Sequence, residues 1–190
     1  MFSDGKPLWI LNTLEEKIDL LSQHGIDHLV VVPFTALFAN QSAESYIRNF
    51  LVEKFEPHTI IIGYDHQFGK DRQGNFELLS QMAPTYGYQL IEIPKHVCHE
   101  IGVSSTKIRT ALLEGDVETA NELLGYDFFF SGKVVSGDRL GRQLGYPTAN
   151  LEYTNSDKLR LGDGVYAVYV KVGDELLKGM LSIGNRPTVD

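Results

Sequence analysis

Residues 131–150 read SGKVVSGDRLGRQLGYPTAN, and their types suit the handling of a nucleoside triphosphate. A strand-like entry at Lys133, Val134 and Val135 runs into a loop carrying Gly137, Gly141 and Gly145, then Pro147, Thr148, Ala149 and Asn150. Glycines let backbone approach a bulky anion closely. Lys133, Arg139 and Arg142 bring positive charge, offset locally by Asp138. Thr148 and Asn150 offer neutral oxygens of the kind that complete the shell of a phosphate-bound Mg²⁺. A plain flexible loop between two strands is the competing explanation, because glycine and proline punctuate loops everywhere.

Two further strings bear chemistry. At 103–109 the chain reads VSSTKIR, where a loop becomes a helix. A helix N-terminus exposes unpaired N–H groups and partial positive charge, which favours phosphate. Ser104, Ser105 and Thr106 add hydroxyls, and Lys107 and Arg109 add cations. Residues two apart on a helix point different ways, so one of the two cations faces a ligand. Ser and Thr are also the commonest ordinary helix caps. At 63–69 the string GYDHQFG follows a strand directly. Open parallel sheets bind ligands at the carboxyl ends of their strands, which makes Gly63, Asp65 and Phe68 candidates; a tight turn at Gly63 and Gly69 is the alternative. His96, Cys98 and His99 form a cluster, but structural zinc needs a second ligand pair and none is near in sequence. No side chain is assigned a catalytic role.

These residues need elements to hold them. Thr13 and Glu16 form a capping box, after which Leu14, Ile18 and Leu21 mark one helical face that stops at Gly25. Residues 29–33, LVVVP, read as a strand buried on both faces. Ser42 caps a helix whose apolar positions are Ala43, Tyr46, Ile47, Phe50 and Leu51. Strands at 59–63 and 89–93 flank a helix around 77–83, and such alternation predicts parallel strands. Helices follow at about 106–113 and from Asp116 to near Gly125. The texture then turns β-like: Phe128, Phe129 and Phe130 open a strand region, and 164–173 with 176–183 form a hairpin turning at Gly173 and Asp174. The boundary falls at 125–128, giving a first domain over 1–126 and a second over 127–190.

Taken together the strings resemble the bifunctional riboflavin kinase/FMN adenylyltransferase family, the prokaryotic FAD synthetases. PTAN at 147–150 is similar to the Mg-ATP motif of riboflavin kinases, VSSTKIR to the nucleotidylyltransferase ISSTxIR, and GYDHQFG to the family's G-x-D-F-x-F-G, with His66 at an aromatic position. The likeness extends from 13–17 through Pro33, Phe34, Phe38 and Ala39 to NRPT at 185–188. It implies an α/β fold: a Rossmann-like nucleotidylyltransferase domain with a parallel sheet, then a partial antiparallel riboflavin kinase-like β-barrel. It implies phosphorylation of riboflavin to FMN with Mg-ATP and adenylylation of FMN to FAD. For the adenylyl half it points to Ser104, Ser105, Thr106 and Arg109 on ATP phosphates, with Gly63, Asp65 and Phe68 near the flavin. For the kinase half it points to Lys133, Gly137 and Asn150 on ATP, with Thr148 and Asn150 on the metal.

The family's HxGH string is absent from these residues, as is its late kinase segment with a catalytic glutamate. The resemblance therefore implies domains incomplete at each end and a chain inactive by itself. A non-catalytic flavin- or nucleotide-binding module is the second reading. Apolar residues at 43% allow a real core, and a single cysteine, Cys98, excludes internal disulfides and suits a cytoplasmic setting. A formal charge of −8 disfavours nucleic acid as a partner. No apolar run is long enough to span a membrane. Small molecules are the expected partners, with self-association through an unpaired barrel edge.

Overall fold

A computed structural model describes residues 9–94, 104–137, 140–143 and 145–184. Two compact units emerge: Met1–Leu29 with Val103–Asp190, and Val30–Gly102.

In the first unit, α1 (Leu14–Gln23) starts with the expected box: Thr13 accepts from the Glu16 N–H, and the Glu16 carboxylate accepts from the Thr13 N–H at 2.9 Å. Glu16 does more than cap. Its Oε2 lies 2.6 Å from Lys158 Nζ, and both side chains are buried. Lys158 also donates to the Leu11 carbonyl at 2.5 Å and stands 4.5 Å from the Phe128 ring centroid. Desolvation holds the Lys158 ammonium below its usual range, and the Glu16 hydrogen bond pulls the other way. The segment around Lys158 is tied further by a parallel bridge between Ile10 and Lys158.

The helices α6 (Ser105–Glu114) and α7 (Val117–Leu124), joined by Gly115 and Asp116, share this unit. Their apolar sides, Ile108, Ala111, Leu112 and Ala120, pack with Leu159, Leu161 and Tyr166. Gly162 is obligatory there, because a β carbon would overlap the Leu113 carbonyl. The Tyr166 hydroxyl donates to the Gly162 carbonyl at 2.6 Å, which closes the polar end of that core. β3 (Gly132–Val135) pairs antiparallel with β4 (Asn150–Tyr153), and α8 (Leu140–Gln143) interrupts the loop between them. β5 (Gly164–Val172) pairs antiparallel with β6 (Glu175–Ile183) in the expected hairpin. Among the described residues these strands form separate pairs and no closed barrel.

In the second unit, β1 (Thr59–Gly63) runs parallel to β2 (Gln89–Ile93), and α5 (Phe76–Tyr86) crosses between them. Ile47, Ile62, Leu79 and Tyr88 form its core. Ahead of β1 come α2 (Ala36–Ala39), α3 (Ala43–Ser45), a π-helix over Tyr46–Val52, and α4 (Glu53–Phe55).

Three sequence expectations change. Residues 29–33 form no strand: all but half-buried Val32 are exposed, and they enter no ladder among the described residues. Strand propensity alone supplies no partner for their N–H and C=O groups, and Pro33 lacks a donor. The helix capped by Ser42 is π-type in its middle, with wider turns than its 3.6-residue periodicity suggested. Phe128, Phe129 and Phe130 lie outside any strand; β3 begins at Gly132, and the Phe128 ring is recruited to Lys158 instead.

Removing one member of the buried pair leaves the other charge without compensation. Lys158→Met should lower unfolding free energy by about 3–5 kcal/mol, and adding Glu16→Gln should recover part of that loss. Urea denaturation of the single and double variants measures both.

Candidate functional site

The antiparallel register places Val135 opposite Asn150 at the open end of the β3–β4 ladder. The loop that leaves after Val135 returns at Asn150, so residues 147–150 come back beside Ser136 and Gly137. A pocket of about 220 Å³ lies there, and its lining includes Ser136, Gly137, Arg142, Thr148 and Asn150. α8 delivers Arg142 to it. The turn after α8 is closed by the Tyr146 N–H donating to the Gly141 carbonyl at 2.7 Å, with Gly145 at φ +83°. Thr148 meets Gly141 from above: a β carbon on Gly141 would sit 3.2 Å from Thr148 Oγ1.

Among the described residues the lining carries a guanidinium and several neutral oxygens but no carboxylate. In a chain of net charge −8 this is a local reversal of sign, and it suits an anion. Lys133 is not part of the lining; it stands opposite Glu152 on the ladder. Ser136 is a lining residue that the sequence reading passed over, and its adjacency to Gly137 was the available signal. Asp138 and Arg139 lie outside the described residues.

The other candidates divide between the two units. In the first, Ser104 is the N-cap of α6, its Oγ accepting from the Lys107 N–H at 3.2 Å. Ser105 and Thr106 occupy the exposed first turn. Half-buried Arg109 donates from Nε to the Trp9 carbonyl at 2.8 Å, which fixes the plane of its guanidinium.

In the second unit, Gly63 ends β1 and exposed Asp65 follows. Phe68 is held by a two-way bridge with Gly74: each N–H donates to the other's carbonyl, at 3.0 and 2.8 Å. The Phe68 ring packs against Gly74, where a β carbon would overlap it. Tyr46 approaches that ring at 5.3 Å, and the His66 imidazole stacks beside it at 6.3 Å and 28°. The imidazole thus presents a flat face where the family string has an aromatic ring. A wider apolar groove of about 520 Å³ adjoins, lined by Val30, Val32, Phe34, Phe38, Tyr46 and Phe50 among others. Burial pushes the Tyr46 phenol above its ordinary range. Helical spacing had suggested a buried face for Tyr46 and Phe50; the structure turns them to this groove. His96, Cys98, His99, Val103 and residues 185–188 lie outside the described residues.

The FAD synthetase family model matches residues 1–107, and the riboflavin kinase family model matches residues 124–190. This chain belongs to the bifunctional riboflavin kinase/FMN adenylyltransferase family. The protein of that name from Buchnera aphidicola subsp. Schizaphis graminum is 38% identical over 94% of this chain and 57% of its own length. The Escherichia coli K12 protein is 36% identical over 100% of this chain and 60% of its own length. The Bacillus subtilis protein is 36% identical over 97% of this chain and 58% of its own length. The chain therefore spans somewhat under two thirds of the curated relatives it matches. A solved structure described as a macrolide-efflux protein from Streptococcus pneumoniae superposes with a TM-score of 0.80 at 32% identity, covering 94% of this chain and 57% of that one. Among the described residues of this chain no helix is long and apolar enough to cross a membrane.

The Phe68–Gly74 contact sets the shape of the loop after β1 in this family member. Gly74→Ala should push the Phe68 ring from its place and lower unfolding free energy by about 1–3 kcal/mol, as overpacking does. Chemical denaturation beside the unsubstituted chain reads the change.

Proposed function

We propose that the chain carries the nucleotide-handling elements of FAD biosynthesis: ATP-dependent phosphorylation of riboflavin in residues 127–190, and adenylylation of FMN in residues 1–126. The observation that carries this reading is the pocket at the end of β3–β4. It gathers Gly137, Arg142, Thr148 and Asn150 within the segment matched by the riboflavin kinase model.

The lining fits Mg²⁺ only in company. A hard divalent cation prefers anionic oxygens, and the protein contributes neutral ones from Thr148 and Asn150. The ATP phosphates would supply the anionic share, and the ion would neutralise charge on the transferred phosphoryl group. Arg142 adds a fixed positive charge at the pocket, and the Gly137 backbone shapes the entry. Lys133, opposite Glu152, acts on ATP through the field at the strand end rather than from the lining.

In the adenylyl half, Ser105, Thr106 and the α6 N-terminus hold triphosphate oxygens, with Ser104 as the cap that fixes the turn and Arg109 as its cation. Gly63, Asp65 and Phe68 lie with the flavin. The substrates are small molecules, and the setting is cytoplasmic. The 190 residues contain no HxGH string, so the chain by itself should form little FAD from riboflavin or FMN with Mg-ATP. Enzyme-like FAD formation in a chromatographic assay would overturn that part of the reading.

The two-site assignment has its own test. Thr148→Ala should weaken Mg-ADP binding about tenfold, the worth of one well-placed polar contact to a charged ligand. Arg109→Ala should leave the Thr148-dependent component of that binding within error. Calorimetric titration of both variants decides: equal loss in both, with folded protein, would merge the sites, and no loss in Thr148→Ala would make Thr148 a loop residue.

One face of the β5–β6 hairpin exposes Val165, Tyr169, Leu176 and Met180. A row of exposed apolar side chains on an open two-stranded ribbon invites pairing with another copy. Sedimentation should show a concentration-dependent dimer or larger species; a strict monomer up to high concentration would refute this.

A further inference from the structure

Glycine is needed either for positive φ or for the close approach of another group. Gly145 is of the first kind, at φ +83° with nothing near its missing β carbon. Gly137 is of the second. It has no positive φ, so its backbone would accept alanine without strain. The space beside it is filled by the Asn150 carboxamide: a β carbon would collide with Nδ2, and would lie 2.8 Å from Cγ and 3.3 Å from Oδ1. The register explains why these two meet. Asn150 pairs with Val135 as β4 begins, and Gly137 lies just past the end of β3, so the Asn150 side chain folds back over the departing loop.

We propose that Gly137 is a positioning residue for Asn150: it leaves the hollow in which the carboxamide is seated against the pocket, rather than making room for a phosphate. This rests on the kinase-site reading above, and it alters how a glycine in a phosphate loop is understood. In the ordinary account, glycine lets the ligand approach the main chain. Here the nearest occupant is a side chain of the protein itself. Any added carbon acts first on Asn150, and on the nucleotide only through it. Gly141 differs, because its missing β carbon would also strike the Tyr146 carbonyl, so alanine there would disturb the turn whatever Thr148 does.

The two accounts separate in a double-mutant cycle, since residues acting through one contact are non-additive. Mg-ADP is titrated calorimetrically into the 190-residue chain and into Gly137→Ala, Asn150→Ala and the double variant. Positioning predicts that Gly137→Ala and Asn150→Ala each weaken binding by about tenfold and that the double variant is no weaker than Asn150→Ala. A further loss in the double variant means that Gly137 serves the ligand directly, and overturns the proposal. Unchanged binding in Gly137→Ala, with Asn150→Ala impaired, overturns it too. Unchanged binding in Asn150→Ala removes the nucleotide reading itself and the proposal with it.

A second measurement needs no nucleotide. The side-chain amide resonances of Asn150, identified by their loss in Asn150→Ala, should shift in Gly137→Ala; resonances that stay in place refute the contact. If Gly137→Ala fails to fold, the double variant should fold, because the colliding amide is gone. Failure of both to fold would show that Gly137 is required for another reason.

Discussion

The Glu16–Lys158 pair organises the first unit. Neither charge tolerates burial alone, since an ion moved out of water needs both a partner and hydrogen bonds. Here each has them. Glu16 takes the Thr13 N–H and the ammonium, and Lys158 adds the Leu11 carbonyl and the Phe128 face. One carboxylate therefore caps α1 and docks it against a segment 142 residues away. Helices α6 and α7 complete the arrangement by packing on Leu159, Leu161 and Tyr166 from that same segment. The docking of α1 orders the segment that leads into the β5–β6 hairpin.

Around this frame, the loop between β3 and β4 is shaped by close contacts rather than by hydrophobic burial. Gly137 admits Asn150, Gly141 admits the Tyr146 carbonyl and Thr148, and Gly145 supplies a left-handed turn. A pocket built this way is lined, among the described residues, by one guanidinium and neutral polar groups, and it stands at the edge of a short ladder. Such sites favour phosphate recognition, where positioning and charge carry most of the effect. The aromatic groove of the second unit is the opposite kind of surface: Phe34, Phe38, Tyr46 and Phe50 present edges and faces. Aromatic surfaces of that kind suit flat, largely apolar rings.

Much of the local structure was legible in the residues. The Thr13–Glu16 box, the Ser42 and Asp116 caps, the Gly125 stop and the Gly173–Asp174 hairpin all follow from short-range rules: a capping hydroxyl or carboxylate bonds within three residues, and glycine takes φ that other residues avoid. The motif strings likewise led to the family, because their side chains are tied to spacing along the chain.

What tertiary structure alone decided is where partners from distant parts of the chain meet. No local rule pairs Glu16 with Lys158, turns Phe128 into a cation–π face, or leaves residues 29–33 without a ladder among the described residues; those depend on which groups arrive nearby and which backbone donors find acceptors. Packing likewise joins α1, α6 and α7 to the carboxyl-terminal strands, although their sequence texture belongs with the helices before them. The same holds at the pocket. Sequence placed Gly137, Thr148 and Asn150 in one string, but only the antiparallel register folds Asn150 over Gly137 and sets Lys133 opposite Glu152 on the ladder. A sequence specifies neighbours along the chain, whereas a ladder's register, fixed by the ends it must join, specifies neighbours in space.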